Sequence, residues 1–422
     1  MNFNCTGRSL RCDLVDRIFA HQEELDTWYR GQADCCPVPP YTSIDVRDSG
    51  FKIAPVDSNI FPAGFNNICT EDWGLASRTF RHVLQHANNG HTPRRVMIVP
   101  ESHTNNRFYF ENLRALREIL TLAGFEVVIG HLNPELKPNL PHEATAVETA
   151  SGRTVVLERI VREGNQLHVP RVKFDAQDLI LLNNDLSNGV PPELEGLSQT
   201  LTPHPSIGWH RRKKSEHLHH YTALATEFAR ILGVDPWVFT ARFDHVDGLH
   251  FDTGEGLDRL AAATDRLLAG IADDYRRHDV AREPFVYIKH NSGTYGRSIM
   301  VVKSGQEVLE MNRREKNKMH VSKGGVQVGS VVLMEGIPTG LSEDGQTAEP
   351  VIYMAGSDAV GGFLRLNPNR DAEGNLNSPG AHFKPLCFEN LFRNPQRGSV
   401  ILEKLYGALG KLSALANGRE MQ

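Results

Sequence analysis

Phe285-Val286-Tyr287-Ile288-Lys289-His290-Asn291-Ser292-Gly293-Thr294-Tyr295-Gly296-Arg297-Ser298-Ile299-Met300-Val301-Val302 is the stretch on which the reading of this chain turns. An apolar run ends in a lysine, a short polar loop with two glycines follows, and a second apolar run leaves. The pattern predicts two strands joined by a bend that can fold over a polyphosphate. Gly293 and Gly296 let backbone N–H groups approach phosphate oxygens, Ser292 and Thr294 offer hydroxyls, and Lys289 puts a positive charge at the root of the bend. It is not a GxxxxGK[ST] loop, because a strand rather than a helix comes after it. Taken alone, the stretch also suits an ordinary β-hairpin turning on glycine.

On the C-terminal side the composition stays β-rich, with strands expected over 329–334, 351–355 and 360–366, before a closing helix over 399–416. On the N-terminal side, apolar residues at helical spacing predict helices over 215–232 and 257–275. Earlier still, Val96-Met97-Ile98-Val99-Pro100 is a short, fully apolar run of the kind that a parallel strand covered on both faces requires. A helix carrying Leu113, Leu116, Ile119 and Leu120 follows, Gly124 suits its end, and 125–129 reads as the next strand, which together make a βαβ unit. Residues 178–182 form another strand, and 154–161 with 166–174 read as a hairpin around a Gly-Asn turn. The polar loops 101–106 and 183–189 follow strands, where open α/β sheets bind their ligands. The first fifty residues read as a helix over 14–29 and a Cys-Pro-rich connector. The fold expected is therefore α/β plus α+β. Residues 1–205 form an open α/β substrate-binding domain with a helical leader, and 206–422 form a nucleotide-binding and catalytic region.

Composition limits the function. The 422 residues are 40% apolar and 23% charged, a soluble globular balance, and 46 Lys plus Arg against 51 Asp plus Glu leaves a net charge of −5. Broad binding to nucleic acid or to anionic lipid needs a strongly basic face, so neither partner is expected. No apolar run is long enough to cross a bilayer, and the polar start MNFNCTGRSLRCD has no apolar signal core, so the chain is expected in the cytoplasm with small-molecule substrates. Six cysteines with no CxxC pair are expected to be reduced and unpaired. His217, His219 and His220 do not share one helix face, and no HExxH or GxSxG motif is present.

Three further stretches accompany the hairpin in order. Trp209-His210-Arg211-Arg212-Lys213-Lys214 brings cations to a helix start, where they oppose the helix dipole and favour an anion nearby, although a solvated helix start has the same look. Val331 to Ile337 is an apolar strand ending at Glu335-Gly336-Ile337. Residues 351–367 pair two strands around Arg365, and Asn375-Leu376-Asn377-Ser378-Pro379-Gly380 follows. With the hairpin, these stretches resemble the ATP-grasp enzymes. That resemblance implies ATP between two lobes, with Lys213 and Lys214 near the nucleotide, Glu335, Gly336 and Ile337 at the adenine, and Lys289 and Arg365 as catalytic cations at the transferred phosphoryl. It also implies Mg2+ on Glu373, Asn375 and Asn377.

Across nearly its whole length the chain resembles the glutamate–cysteine ligases of the proteobacterial GshA type, through Pro55 to Asn67, Pro100 to Asn106, Tyr287 to Val302 and Asn312 to Met319. The resemblance implies ATP-dependent joining of the glutamate γ-carboxylate to the cysteine amine through an acyl phosphate. Asp57, Asn59, Asn66, Glu101, His103 and Asn106 have the polar chemistry to bind the amino acids, and they equally suit turn and cap positions. Residue chemistry without the resemblance leaves open another carboxylate–amine ligase or a nucleotide-binding module without catalysis.

Overall fold

The computed structural model describes residues 9–103, 105–293, 299–320, 328–388 and 401–422. Two helices open it, α1 (Leu10–Ala20) and α2 (Gln22–Cys35), where sequence periodicity predicts one; the helix is interrupted at His21. Strands β1 (Tyr41–Asp48) and β2 (Ile53–Asn59) follow, then α3 (Trp73–Ala87), β3 (Arg95–Pro100), α4 (Arg107–Leu122) and β4 (Glu126–His131). Five strands come next: β5 (Ala144–Glu148), β6 (Thr154–Arg159), β7 (Val161–Glu163), β8 (Gln166–His168) and β9 (Leu179–Asn183). Beyond β10 (Thr200–Thr202) lie α5 (Lys214–Leu232), β11 (Phe243–Asp247), α6 (Leu257–Arg277), β12 (Val286–His290) and β13 (Ile299–Val302). Short helices α7 (Gly305–Leu309) and α8 (Arg313–His320) precede β14 (Ser330–Glu335), β15 (Ser342–Glu343), β16 (Gln346–Ala355), β17 (Asp358–Leu366), β18 (His382–Leu386) and the final α9 (Gly407–Arg419).

Three sheets carry the architecture. One has the order β10-β9-β3-β4-β6-β5 and is parallel apart from β5. Its apolar strands are buried on both faces, as the sequence pattern of 96–100 and 179–182 demands. The second, β11-β14-β12-β13, is antiparallel and covered by α6, with Val286, Ile288, Val331 and Leu333 packed against Leu260, Leu268 and Ile271. The third, β18-β17-β16-β1-β2 with β15 beside β16, lies between them and is antiparallel throughout. One face packs on α5 and α9 through Ile44, Ile352, Leu364, Phe228 and Leu412. Its other face packs on α3 and α4 through Val351, Tyr353, Phe363, Phe80 and Leu113.

This third sheet draws strands from both sides of position 205, because β1 and β2 pair with each other and β1 pairs with β16. The sequence reading leaves β1 and β2 unassigned. All eight residues of β1 are buried, yet Thr42, Ser43, Asp45, Arg47 and Asp48 are polar, so no apolar alternation marks it as a strand. The hairpin expected over 154–174 is divided: β6 joins the parallel sheet beside β4, and only β7 and β8 pair as a hairpin. No helix among the described residues is long and apolar enough to cross a membrane.

The expectation of unpaired thiols is corrected. Cys69 and Cys387 form a disulfide across 318 residues of sequence, with Cα atoms 5.1 Å apart, and Cys12 is also disulfide-bonded. Cys35 and Cys36 are free thiols, and Cys5 lies outside the described residues. Sequence spacing carries no sign of a pairing that only the packing of β18 against the 65–72 loop creates. Closing so long a loop restricts the unfolded chain by up to about 5 kcal/mol in the chain-entropy account. Protein purified without reductant is expected to yield a Cys69–Cys387 cross-linked peptide in non-reducing mass mapping. Cys387→Ser should lower its melting temperature under the same conditions by several degrees and leave it unchanged in excess dithiothreitol.

Candidate active site

The site forms where the second and third sheets face each other. Alternation along β12 sends Val286 and Ile288 toward α6 and turns Tyr287 and Lys289 toward β1 and β2. Lys289 is buried; its ammonium donates to the Val56 carbonyl at 2.8 Å and lies 5.3 Å from the centre of the Tyr287 ring. Burial pulls its pKa down to about 8, Lys214 and Arg47 pull the same way, and Asp57 and Asp45 offset part of the drop. Lys214, in the first turn of α5, reaches Asp57 on β2 at 2.5 Å and covers the Trp209 ring at 4.5 Å. Burial raises the Asp57 carboxyl, but Lys214, Lys289 and Arg212 together outweigh it and hold the group below its ordinary range. A narrow pocket with apolar walls from Leu218, Tyr221, Val332 and Met334 opens onto Lys214 and Lys289.

Beside this pocket lies a buried charge cluster on the third sheet. Arg365 on β17 bonds to Asp45 on β1 at 2.5 Å and to Glu349 on β16, its register partner. Arg47 holds the other oxygen of Glu349 at 2.7 Å. Arg47 also donates to the carbonyls of Ala372 (2.9 Å) and Gly374 (2.8 Å), and the Tyr287 hydroxyl donates to the Glu373 carbonyl at 2.7 Å. The loop after β17 is thereby pinned over the site. The cluster Arg47, Lys214, Lys289 and Arg365 against Asp45, Asp57 and Glu349 carries one cation more than it has carboxylates, which suits an anionic ligand.

The residues singled out from sequence fall into several places. Buried Lys289 and half-buried Lys214 and Asp57 line the pocket just described, and Arg365 lies in the buried cluster beside it. Lys213 is exposed at the cap of α5. Ser292 is exposed and Gly293 half-buried at the end of β12, while Thr294 and Gly296 lie outside the described residues. The Glu335 carboxylate pairs with Lys52 at 2.6 Å and accepts the Arg242 N–H, and the Gly336 N–H donates to the Phe285 carbonyl. Gly336 sits so close to Phe285 that a Cβ there would lie 2.1 Å from the ring. Ile337 is buried with Val332 and Met334. On the pinned loop, Glu373 pairs with Lys303 at 3.1 Å, Asn375 accepts the Asn377 N–H at 3.0 Å, and Asn377 is exposed.

A second group surrounds the ends of the parallel strands. Asn183, at the end of β9, donates to Pro62 O and to the Tyr41 hydroxyl, both at 3.1 Å, and accepts from Asn112. Asn112 in turn accepts the N–H groups of Gly64 (2.8 Å) and Phe65 (3.0 Å), so the 62–67 loop is seated on buried amides. Asn66 donates to Asn67, Glu101 pairs with His103 at 3.1 Å, and Asn59 ends β2 opposite Ser43. Asn106 caps α4 by accepting the Tyr109 N–H, which accounts for it structurally.

Several residues that hold the site together leave no local signal in sequence. Asn291 is fully buried: its carbonyl accepts the Lys214 N–H at 2.7 Å and its side chain accepts the Ser215 N–H, which ties the hairpin root to α5. Arg212 donates to the Ser58 carbonyl (2.7 Å), to Asn417 (2.9 Å) and to Glu420 (2.7 Å), and Glu420 also binds His217 at 2.6 Å. Asp45, Arg47 and Glu349 complete the set. Only the run of cations at 211–214 pointed toward one member of it.

Together these residues make a lysine-lined pocket between two antiparallel sheets beside an amide-seated polar loop, with the charge to suit a small anion. The model of the GshA glutamate-cysteine ligase family matches residues 15–421, and the chain belongs to that family. The crystal structure of a Methylobacillus flagellatus KT protein, provisionally named a gamma-glutamylcysteine synthetase, superposes with a TM-score of 0.84 at 38% identity, covering 99% of this chain and 98% of that one. A glutathione synthetase like-effector from Globodera pallida in its apo form aligns at 12% identity and a TM-score of 0.33, covering 89% of this chain and 80% of that one, too remote to bear on the fold. No curated protein sequence matches the chain significantly.

Burial raises the Glu420 carboxyl, but Arg212 and His217 overcome this and hold it at about 2. A carboxyl depressed on folding stabilises the protein above its unfolded pKa and loses that contribution as pH falls toward the folded value. Stability should therefore decline between about pH 4.5 and 2 through this group. Glu420→Gln should cost ~3 kcal/mol at neutral pH, because it strands a buried guanidinium, and should flatten that part of the acid limb in a denaturant titration.

Proposed function

We propose that this glutamate–cysteine ligase binds ATP in the cleft between the second and third sheets, in an ATP-grasp-like arrangement, and joins its substrates through a γ-glutamyl phosphate. The observation that carries this reading is that Lys214 and Lys289 open onto one apolar-walled pocket, with the buried Arg47–Glu349–Arg365–Asp45 cluster close enough for Arg47 and Asp45 to act on the Lys289 ammonium. In this arrangement residues 206–422 bind the nucleotide and residues 1–205 supply the amino-acid side, with β1 and β2 crossing to the nucleotide side. The Leu218, Val332 and Met334 walls would take the base. Lys289 and Lys214 would meet the phosphate oxygens, which leaves Arg365 to face the phosphoryl group as it passes to the glutamate γ-carboxylate.

A phosphoryl-transfer transition state is loose and spreads its charge over the equatorial oxygens, so positioned cations are the main protein contribution. The acyl phosphate makes a good leaving group of a carboxylate oxygen. The loop that Arg47 and Tyr287 pin over the site would help to keep water from it. The 62–67 loop with Asp57, Asn59, Asn66, Glu101 and His103 would bind the amino acids. Mg2+ requires hard oxygen donors, and Glu373 and Asn375 supply these on the loop that Arg47 and Tyr287 hold against β12. Bound there with ATP, the ion would neutralise phosphate charge that the lysines leave unmatched. The same reading keeps the cytoplasmic location expected from the sequence.

Among amino acids, ADP release should require glutamate and cysteine together; release with other amino-acid pairs, or none at all, would refute the assignment. Lys289→Ala should lower kcat/KM for ATP at least ~10²-fold. Because the Lys289 ammonium is depressed to about 8, it is charged below that pH and neutral above it. ATP affinity measured by calorimetry should hold constant up to about pH 7 and weaken from pH 8 to 9. Lys289→Arg, whose charge does not titrate in this range, should abolish that weakening.

A further inference from the structure

Asp45 stands at the centre of the buried cluster with its two carboxylate oxygens treated differently. Oδ2 is held by Arg365 at 2.5 Å, whereas Oδ1, though buried, has no hydrogen-bond partner. The residue is only 5% exposed, so the orphaned oxygen has no bulk water to satisfy it, a costly arrangement unless a ligand donor arrives. Glu349, the other partner of Arg365, shows no such vacancy: one oxygen is on Arg365 and the other on Arg47. Asp45 also lies between the two halves of the site. Asp57 is its register partner on β2, and Lys289 and Tyr353 feel its charge. The Tyr353 hydroxyl in turn abuts Gly64 of the amide-seated loop, where a Cβ would lie 2.4 Å from it.

We propose that Asp45 is the general base of the second half-reaction, its Oδ1 taking a proton from the cysteine ammonium so that the amine can attack. The proposal rests on the acyl-phosphate reading above. The ammonium gives one proton to Oδ1 and its freed electron pair attacks the acyl carbon. The C–N bond forms and the bond from acyl carbon to phosphoryl oxygen breaks with its electron pair. The departing phosphate, held by Arg365, carries off the second nitrogen proton as hydrogen phosphate, and Asp45 returns the first to solvent. One arginine therefore positions both the leaving group and the base. Burial, together with Glu349 and Asp57, raises the Asp45 carboxyl against the pull of Arg365, and a raised carboxyl is the better proton acceptor.

The test compares cysteine with hydroxylamine, an acceptor already unprotonated at neutral pH. Wild-type protein given ATP, glutamate and hydroxylamine should form γ-glutamyl hydroxamate; failure of that control overturns the acyl-phosphate reading itself. Asp45→Asn should cut cysteine-dependent turnover ~10²–10⁴-fold while hydroxamate formation falls less than about tenfold. Glu349→Gln, which also removes an Arg365 partner but no free oxygen, should lower both reactions in parallel. Equal losses of the two reactions in Asp45→Asn, or retained cysteine turnover, would overturn the proposal. Should Asp45→Asn fail to fold, the wild-type enzyme decides: a solvent deuterium effect on kcat/KM for cysteine that is absent with hydroxylamine supports the base, and equal effects refute it.

Discussion

A guanidinium buried in the middle of a β-sheet can persist only if carboxylates meet it there, and Arg365 meets two. Its bonds to Asp45 and Glu349 join β17, β1 and β16, elements separated by as many as 320 residues in sequence. Stripping either carboxylate would strand an ion whose desolvation costs several kcal/mol, so the strand order of the third sheet and the charge balance of the site are one requirement. Arg47 extends the same logic to the loop after β17, whose carbonyls it holds. The cluster is thus a structural joint and a patch of preorganised charge, and the second property follows from the first.

Preorganisation costs stability, and the fold offsets it with buried amides and ion pairs at a distance from the chemistry. Asn291, Asn183, Asn112 and Asn417 each satisfy several backbone or side-chain groups, so the loops they seat need little apolar packing of their own. Arg212 and Glu420 bring the last residues of the chain to the wall of the Lys214–Lys289 pocket, and the Lys52–Glu335 pair does similar work at the end of β14. Ions of this kind add little net stability as pairs, but each fixes a geometry that a slipped register would break.

Much of the scaffold was legible in the order of residues. The βαβ unit from β3 to β4, helices α5 and α6, and strands β12, β13, β14, β16 and β17 all follow from apolar periodicity, because each buries a regular face. Lys289, Lys214, Arg365 and Asp57 stood out in the sequence and lie near one another in the fold, since a lysine at a strand end or an arginine inside an apolar strand is conspicuous. Strands β1 and β2 were not legible, because charged and polar residues such as Asp45, Arg47, Asp48 and Asp57 break their apolar alternation and the β16 partner of β1 is remote. The thiols misled for the same reason: nothing near Cys69 announces Cys387.

By itself, then, the sequence determined which segments become strands and helices wherever burial is local and periodic, and it supplied the cations and family motifs of a ligase. Tertiary structure alone decided that Asp45, Arg47 and Glu349 surround Arg365, that Asn291 locks β12 to α5, and that the final residues brace the site. Pairings of that kind depend on which distant charges are buried together, and burial of a charge is a property of the assembled sheets that no local run of residues encodes.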